Sequence, residues 1–267
     1  MTERHAWPYA RVIAHRGGGT LAPENTLAAI RVGMEHGFRA IEFDAMLSGD
    51  DTPILMHDST LRRTALRPGA VTDFSAAELA QLDVGRWHSA RFAGEPVPGL
   101  DETLAFCRGR GVWCNVEIKP TARREAATGR LVAERVAQAY ADVVRPAGDR
   151  QESVVPAVPL LSSFSVEALE AARCARPDLP RGWLVDRVPH DWRERLAGLG
   201  GVALHANHRH LSASRVAEIK AAGAWLFCYT VNEPARARDL LAWGVDAFCT
   251  DRIDLIGPDF AAARGAA

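Results

Sequence analysis

Phe38-Arg39-Ala40-Ile41-Glu42-Phe43-Asp44-Ala45-Met46-Leu47 is a ten-residue apolar run broken in its centre by two carboxylates. A strand alternates its side chains between two faces, so Glu42 and Asp44 point one way while Ile41, Phe43 and Ala45 point the other. A strand this apolar is expected to be buried on both faces, as in parallel α/β sheets. Buried carboxylates need partners. Val116-Glu117-Ile118-Lys119 repeats the spacing in a second strand-like run, placing Lys119 on the face of Glu117. Three converging carboxylates would take up protons unless something compensates their charge. A hard divalent cation, Mg²⁺ or Ca²⁺, prefers oxygen ligands and supplies that compensation.

Outward from this run, β-type and helical stretches alternate almost to the end of the chain. Strands are expected at 11–15, 38–47, 112–118, 159–164, 181–185, 202–206, 224–231 and 246–249. Thr52 to Met56 reads as a short return segment after the turn Ser48-Gly49-Asp50-Asp51. Helices are expected at 124–140, 166–174, 192–199, 214–222 (capped by Ser212 or Ser214) and 234–243. An early helix runs through Leu27, Ile30 and Met34, with Asn25 as its N-cap and Gly37 at its end. About eight strands alternating with helices predict a (β/α)₈ TIM barrel, in the α/β class. The rival open doubly wound sheet lacks its G-x-G-x-x-G signature, which Gly17-Gly18-Gly19 does not match. The chain is read as a single domain, 1–267. Residues 58–99 form a small insertion after the second strand, over the barrel mouth, with a helical piece at 75–82.

In such a barrel, reactive side chains sit at the carboxyl ends of the strands. His15, Glu42, Asp44, Glu117, Lys119, Asn207 and Tyr229 fall at such ends, Arg16 follows His15, and His57 follows the return segment. Glu42, Asp44 and Glu117 are the expected metal ligands. Two histidines beside the cation, His15 and His57, make a general acid and a general base near neutral pH. Arg16 and Lys119 add fixed positive charge suited to an anionic phosphate. The constellation reads as metal-assisted phosphodiester cleavage. His205, His208 and His210 have metal-like spacing, but no second ligand cluster accompanies them, and loop histidines are the expectation. Trp87, His88 and Phe92 are expected to pack the insertion down.

Bulk properties narrow the partners. A formal net charge of -1 argues against a nucleic-acid binder and against docking on an anionic membrane. No apolar run is long enough to span a bilayer, and the first residues lack the apolar core of a secretory signal. The 5 cysteines show no C-x-x-C spacing. They are expected to be reduced thiols in a cytoplasmic protein.

His15-Arg16-Gly17, Pro23-Glu24-Asn25-Thr26, Ile41-Glu42-Phe43-Asp44, His57-Asp58, Val116-Glu117-Ile118-Lys119, Thr230-Val231-Asn232 and Thr250-Asp251 together resemble the glycerophosphodiester phosphodiesterase family. The likeness spans nearly the whole chain, the insertion included. It is greatest to the cytosolic bacterial type linked to glycerol 3-phosphate uptake. The resemblance implies a TIM barrel with an inserted subdomain. It implies one divalent cation, with Mg²⁺ ahead of Ca²⁺, and a small-molecule substrate such as glycerophosphocholine or glycerophosphoethanolamine. The products would be sn-glycerol 3-phosphate and an alcohol. Glu42, Asp44 and Glu117 match the metal ligands, His15 and His57 the acid–base pair, Arg16 and Lys119 the phosphate contacts. Tyr229 stands where many relatives carry Trp. The resemblance admits attack by water and attack by the neighbouring glycerol hydroxyl. Two rivals are a lysophospholipase-D-like or phospholipase-C-like barrel acting on lipids, and a non-catalytic barrel that binds phosphate or metal. The polar insertion, with Arg62, Arg63, Asp73, Glu78, Arg86 and Arg91, disfavours the first; the presence of both histidines disfavours the second.

Overall fold

A computed structural model describes residues 6–144 and 158–262. The strands are β1 (Val12–Ala14), β2 (Ala40–Leu47), β3 (Pro53–Leu55), β4 (Trp113–Ile118), β5 (Leu160–Ser163), β6 (Arg181–Val185), β7 (Ala203–Asn207), β8 (Trp225–Tyr229) and β9 (Ala247–Thr250). Eight of them, all but β3, pair in parallel. The ladder closes because β1 bonds both to β9 and to β2, with Ala14 opposite Thr250 and opposite Ile41. This is a (β/α)₈ barrel. β3 runs antiparallel along the outer half of β2, from Ala45–Leu55 to Leu47–Pro53, as the return segment predicted.

The helices are α1 (Leu27–Glu35), α2 (Ala76–Leu79), α3 (Leu100–Arg108), α4 (Glu125–Ala139), α5 (Val166–Ala175), α6 (Trp192–Gly198), α7 (Ala213–Ala221) and α8 (Pro234–Trp243). Among the described residues, no helix is long and apolar enough to cross a membrane. Two local readings need correction. Thr26, not Asn25, caps α1: its side chain accepts from the Ala29 amide at 3.0 Å. Asn25 instead takes φ 57, a left-handed conformation that asparagine tolerates, and turns its amide toward β2. α3 occupies a stretch for which no helix was expected. Its N-cap is Gly99, which offers no side-chain acceptor, so the usual start signal is missing. Asp101 and Glu102 in its first turn and Arg108 in its last complement the helix dipole instead.

The outer faces of the strands and the inner faces of the helices share one apolar core, which contains Ile41, Phe43, Val116 and Ile118. Inside the barrel, Ile13, Ala40, Phe227, Ala247 and Cys249 form a separate layer. An aromatic plug of Trp7, Tyr9, Trp113 and Trp225 closes the end where the strands begin. Tyr9 stacks on Trp113 at 4.1 Å, and Trp7 meets Trp225 edge-on at 5.6 Å. With that end plugged, polar side chains pointing inward are confined to the opposite, carboxyl end. In the 58–99 segment, Leu61, Val71, Leu79, Val84 and Val97 bury together with Met46, Ile54 and Met56 of β2 and its return. Burying each such side chain contributes about 1.5–3 kcal/mol. Four of the five cysteines are buried free thiols and Cys174 is exposed.

Candidate active site

The barrel register sets the carboxylates. Asp44 of β2 lies opposite Glu117 of β4, so adjacent strands present them on the same inner face. Glu42 is one inward position below Asp44. The three offer one oxygen each within 4.8 Å of one another. Burial and the neighbouring negative charges push Glu117 up to about 8. Burial, opposed by His15 and reinforced by Asp44, pushes Glu42 up to about 7. Asp44 is buried too, but Arg16, Lys119, His57 and Asn25 outweigh that cost and hold it below the ordinary carboxylate range. Two carboxylates that are costly to ionise, beside one secured as an anion, make a pocket that fits a hard divalent cation.

Two cationic side chains, Lys119 and Arg16, flank this pocket. Lys119 Nζ lies 3.4 Å from Asp44 and from Glu117. The Arg16 amide donates to Glu42 at 3.1 Å, and its Nε lies 3.4 Å from Asp44. Arg16 is itself strained, at φ 50, and is followed by Gly17 at φ 90. A Cβ on Gly17 would meet Ile30 of α1 at 3.0–3.1 Å, so the loop after β1 needs glycine to lie flat on that helix. Asn25 grips Asp44 from the same loop. Its Nδ2 donates to Asp44 Oδ2 at 2.8 Å, and its Oδ1 accepts from the Asp44 amide at 3.0 Å.

Each histidine has its own carboxylate. His15 Nδ1 is 2.5 Å from Asp251 Oδ1, and its Nε2 is 3.7 Å from Glu42. Burial opposes a charged His15, but the Asp251 hydrogen bond and the charges of Glu42 and Asp251 prevail, and its pKa is raised. His57 Nδ1 is 2.7 Å from Asp58 Oδ1. Burial, helped by Arg16 and Lys119, outweighs Asp44 and Asp58 there, and the pKa of His57 is lowered. Because an ionised carboxylate only accepts, Nδ1 carries the hydrogen in both rings, and Nε2 is left for proton transfer.

Seven of the nine residues singled out from sequence thus meet at one place. Asn207 and Tyr229 stand on the β7–β8 side of the mouth, with their polar groups engaged elsewhere. Asn207 donates to Asp186 at 2.8 Å, and Tyr229 donates to the Val185 carbonyl at 2.9 Å. The Tyr229 ring meets half-exposed Phe164 edge-on at 5.7 Å. The three spaced histidines do not form a cluster. His205 is not the loop histidine expected: it belongs to β7, where its alternation turns it into the barrel, stacked on Phe227 at 4.5 Å, while His208 and His210 do sit in the turn after β7. Trp87 and His88 fasten the insertion, through Trp87 Nε1 to the Val84 carbonyl and His88 Nε2 to the Thr20 carbonyl. The sequence marked Asn25 only as a helix cap, and gave Glu24, Asn25, Asp58 and Asp251 no place in the site. All four lie inside the quoted motifs, and Asp58 directly follows His57; membership of those motifs was the available signal.

A parallel barrel with buried carboxylates, two carboxylate-backed histidines and paired cations at its carboxyl end defines a class: a barrel hydrolase of phosphate esters. The chain belongs to the glycerophosphoryl diester phosphodiesterase family, whose pattern matches residues 15–255. A glycerophosphodiester phosphodiesterase of Caldanaerobacter subterraneus subsp. tengcongensis is 29% identical over 241 residues, 90% of this chain and 93% of that one. The structure of an Oleispira antarctica phosphodiesterase, in complex with the product sn-glycerol-3-phosphate, superposes with a TM-score of 0.80. It is 35% identical and covers 90% of this chain and 92% of its own. A glycerophosphodiester phosphodiesterase from Agrobacterium tumefaciens gives 0.69 at 25% identity, over 95% of this chain and 99% of its own.

Proposed function

We propose that this enzyme hydrolyses small glycerophosphodiesters, such as glycerophosphocholine and glycerophosphoethanolamine, to sn-glycerol 3-phosphate and the free alcohol. The observation that carries the reading is the convergence of Glu42, Asp44 and Glu117 within 4.8 Å, ringed by Arg16, Lys119, His15 and His57. Glu42, Asp44 and Glu117 would hold one divalent cation, Mg²⁺ ahead of Ca²⁺. Bound there, such an ion supplies Lewis-acid polarisation of a phosphoryl oxygen and fixes the orientation of the ester.

The remaining steps fall to side chains. Arg16 and Lys119 stabilise the charge that grows on the phosphoryl oxygens, from positions already set by Asp44. One imidazole Nε2 takes the proton of the attacking oxygen, and the other gives a proton to the departing alcohol oxygen. Asp251 and Asp58 hold the rings in the tautomer this requires. Asn207 and Tyr229 wall the substrate on the far side of the mouth. The 58–99 segment is read as an insertion of the same single domain, covering the mouth beside His57. The near-zero net charge supports a small diester over nucleic acid or a membrane surface, and the free cysteines support a cytoplasmic setting.

The test is release of glycerol 3-phosphate from glycerophosphoethanolamine by the purified protein with Mg²⁺, with Ca²⁺ and with EDTA. Release with a divalent ion, abolished by EDTA, supports the reading. A folded sample that releases nothing with either ion overturns it.

A further inference from the structure

Arg63 lies in the 58–99 segment and has no part in the roles assigned above. Its guanidinium is a three-bond fork. Nη1 and Nη2 donate to Glu24 Oε2 and Oε1 at 2.5 and 2.8 Å, and Nε donates to Asp58 Oδ2 at 2.7 Å. Each carboxylate it grips also holds a residue of the proposed machinery. Glu24 Oε1 accepts from Arg16 Nη1 at 2.8 Å, and Asp58 Oδ1 faces His57 Nδ1 at 2.7 Å. The result is one unbroken chain, Arg16–Glu24–Arg63–Asp58–His57. It joins the loop after β1 to the end of the return segment β3 by way of the insertion.

We propose that Arg63 is a positioning residue, whose planar fork spans Glu24 and Asp58 and so sets Arg16 and His57 against the reacting centre together. This rests on the reading of His57 as a proton carrier and Arg16 as a phosphate contact. The geometry asks for arginine. A lysine is a single point charge and cannot hold two carboxylates in fixed orientation, whereas a guanidinium presents donors along two edges of a plane. The plane is further steadied by the Trp87 ring, 5.8 Å from Arg63 Cζ. The segment carrying Arg63 is in turn tied to the first turn of α1, which follows the β1 loop: Glu95 accepts from the Ala28 amide at 2.8 Å. The Arg63 side chain is 41% exposed, so its ion pairs add little to global stability. Its consequence falls on the orientation and electrostatics of what it holds.

His57 faces Asp44 and Asp58, which favour its charged form, and Arg16 and Lys119, which oppose it. Arg63 damps the Asp58 charge. Removing the guanidinium leaves Asp58 to act undamped, so the His57 titration moves up. A purely structural role for Arg63 moves no titration.

The experiment compares wild type, Arg63→Met and Arg63→Lys as full-length Mg²⁺-loaded protein. It measures glycerophosphoethanolamine turnover against pH, and the His57 ring by ¹⁵N NMR, assigned with His57→Gln. The expected result for Arg63→Met is a fall in kcat of at least ~10-fold, a smaller change in KM, and an upward-shifted His57 titration. Arg63→Lys keeps the charge, loses the fork and falls between the two. Wild-type kcat with an unmoved His57 titration in Arg63→Met overturns the proposal. If Arg63→Met does not fold, Arg63→Lys decides: full activity with an unmoved titration overturns it, and reduced kcat with a shifted titration supports it. If His57→Ala keeps wild-type turnover, the reading of His57 as a proton carrier fails. The ring titration in Arg63→Met then still decides whether Arg63 governs that histidine.

Discussion

His15 and Asp251 are 236 residues apart in sequence, yet His15 Nδ1 lies 2.5 Å from Asp251 Oδ1. The closing pair of the barrel brings them together, since β1 and β9 are parallel neighbours with Ala14 opposite Thr250. Asp251 is held in turn by Asn232, which donates to Oδ2 at 2.9 Å and accepts from the Asp251 amide at 2.8 Å. Asp251→Asn keeps the shape but loses the charge that orients His15 and favours its protonated form. The expected outcome is a fall in kcat of roughly 10²-fold with KM little changed, read from steady-state kinetics on a sample with unaltered circular dichroism.

His15→Ala and His57→Ala each remove one Nε2 from the centre. Each is expected to lower kcat by at least ~10²-fold while leaving the thermal midpoint close to wild type, because neither ring belongs to the apolar core. Turnover near wild type in either variant would remove that residue from the mechanism.

Burial raises Glu117 to about 8 and Glu42 to about 7 in the metal-free protein, so these groups carry protons near neutrality. A cation needs them ionised. Mg²⁺ binding at pH 7 is therefore expected to release on the order of one proton per site, and to strengthen as pH rises toward 8. Calorimetry in two buffers of different ionisation enthalpy measures this release. No difference between the buffers would show that these carboxylates are not the ligands.

Asn25 secures Asp44 through two hydrogen bonds, and its φ of 57 makes glycine the cleanest replacement. Asn25→Gly preserves the left-handed backbone and deletes the amide. Weaker Mg²⁺ affinity, by roughly 10- to 100-fold, is expected, as is usual when a group behind a metal ligand is removed. The midpoint of a Mg²⁺ titration followed by thermal stabilisation reports it.

His205 is fully buried and neither ring nitrogen has a hydrogen-bond partner. Burial lowers its pKa to about 3 from the usual 6.5. The unfolded chain therefore binds a proton between those values that the folded chain refuses, so stability falls as pH drops below 6.5 and the loss is complete near 3. Between pH 7 and 5 this one group costs up to about 2 kcal/mol, at 1.4 kcal/mol per unit. His205→Leu is expected to lose that much less stability over the same interval, measured by urea unfolding at both pH values. Equal losses in the two proteins would place the acid sensitivity elsewhere.

Sequence alone determined the barrel and the carboxylate cluster at its mouth, for a local reason. Inward and outward positions of a strand alternate with period two, so Glu42, Asp44, Glu117 and Lys119 declare their face by spacing. Their location at strand ends follows from the order of apolar runs. α3 escaped that reading because Gly99 gives no capping signal, and Asn25 was misassigned because the residue after it, Thr26, makes the cap. Spacing also grouped His205 with His208 and His210, although one is buried inside the barrel and two lie in the following turn. What tertiary structure alone decided is which group answers which: Asp251 for His15, Asn25 for Asp44, and Arg63 for both Glu24 and Asp58. These partners come from different strands and loops. Their meeting depends on ring closure and on the path of an inserted segment, and neither leaves a period in the sequence.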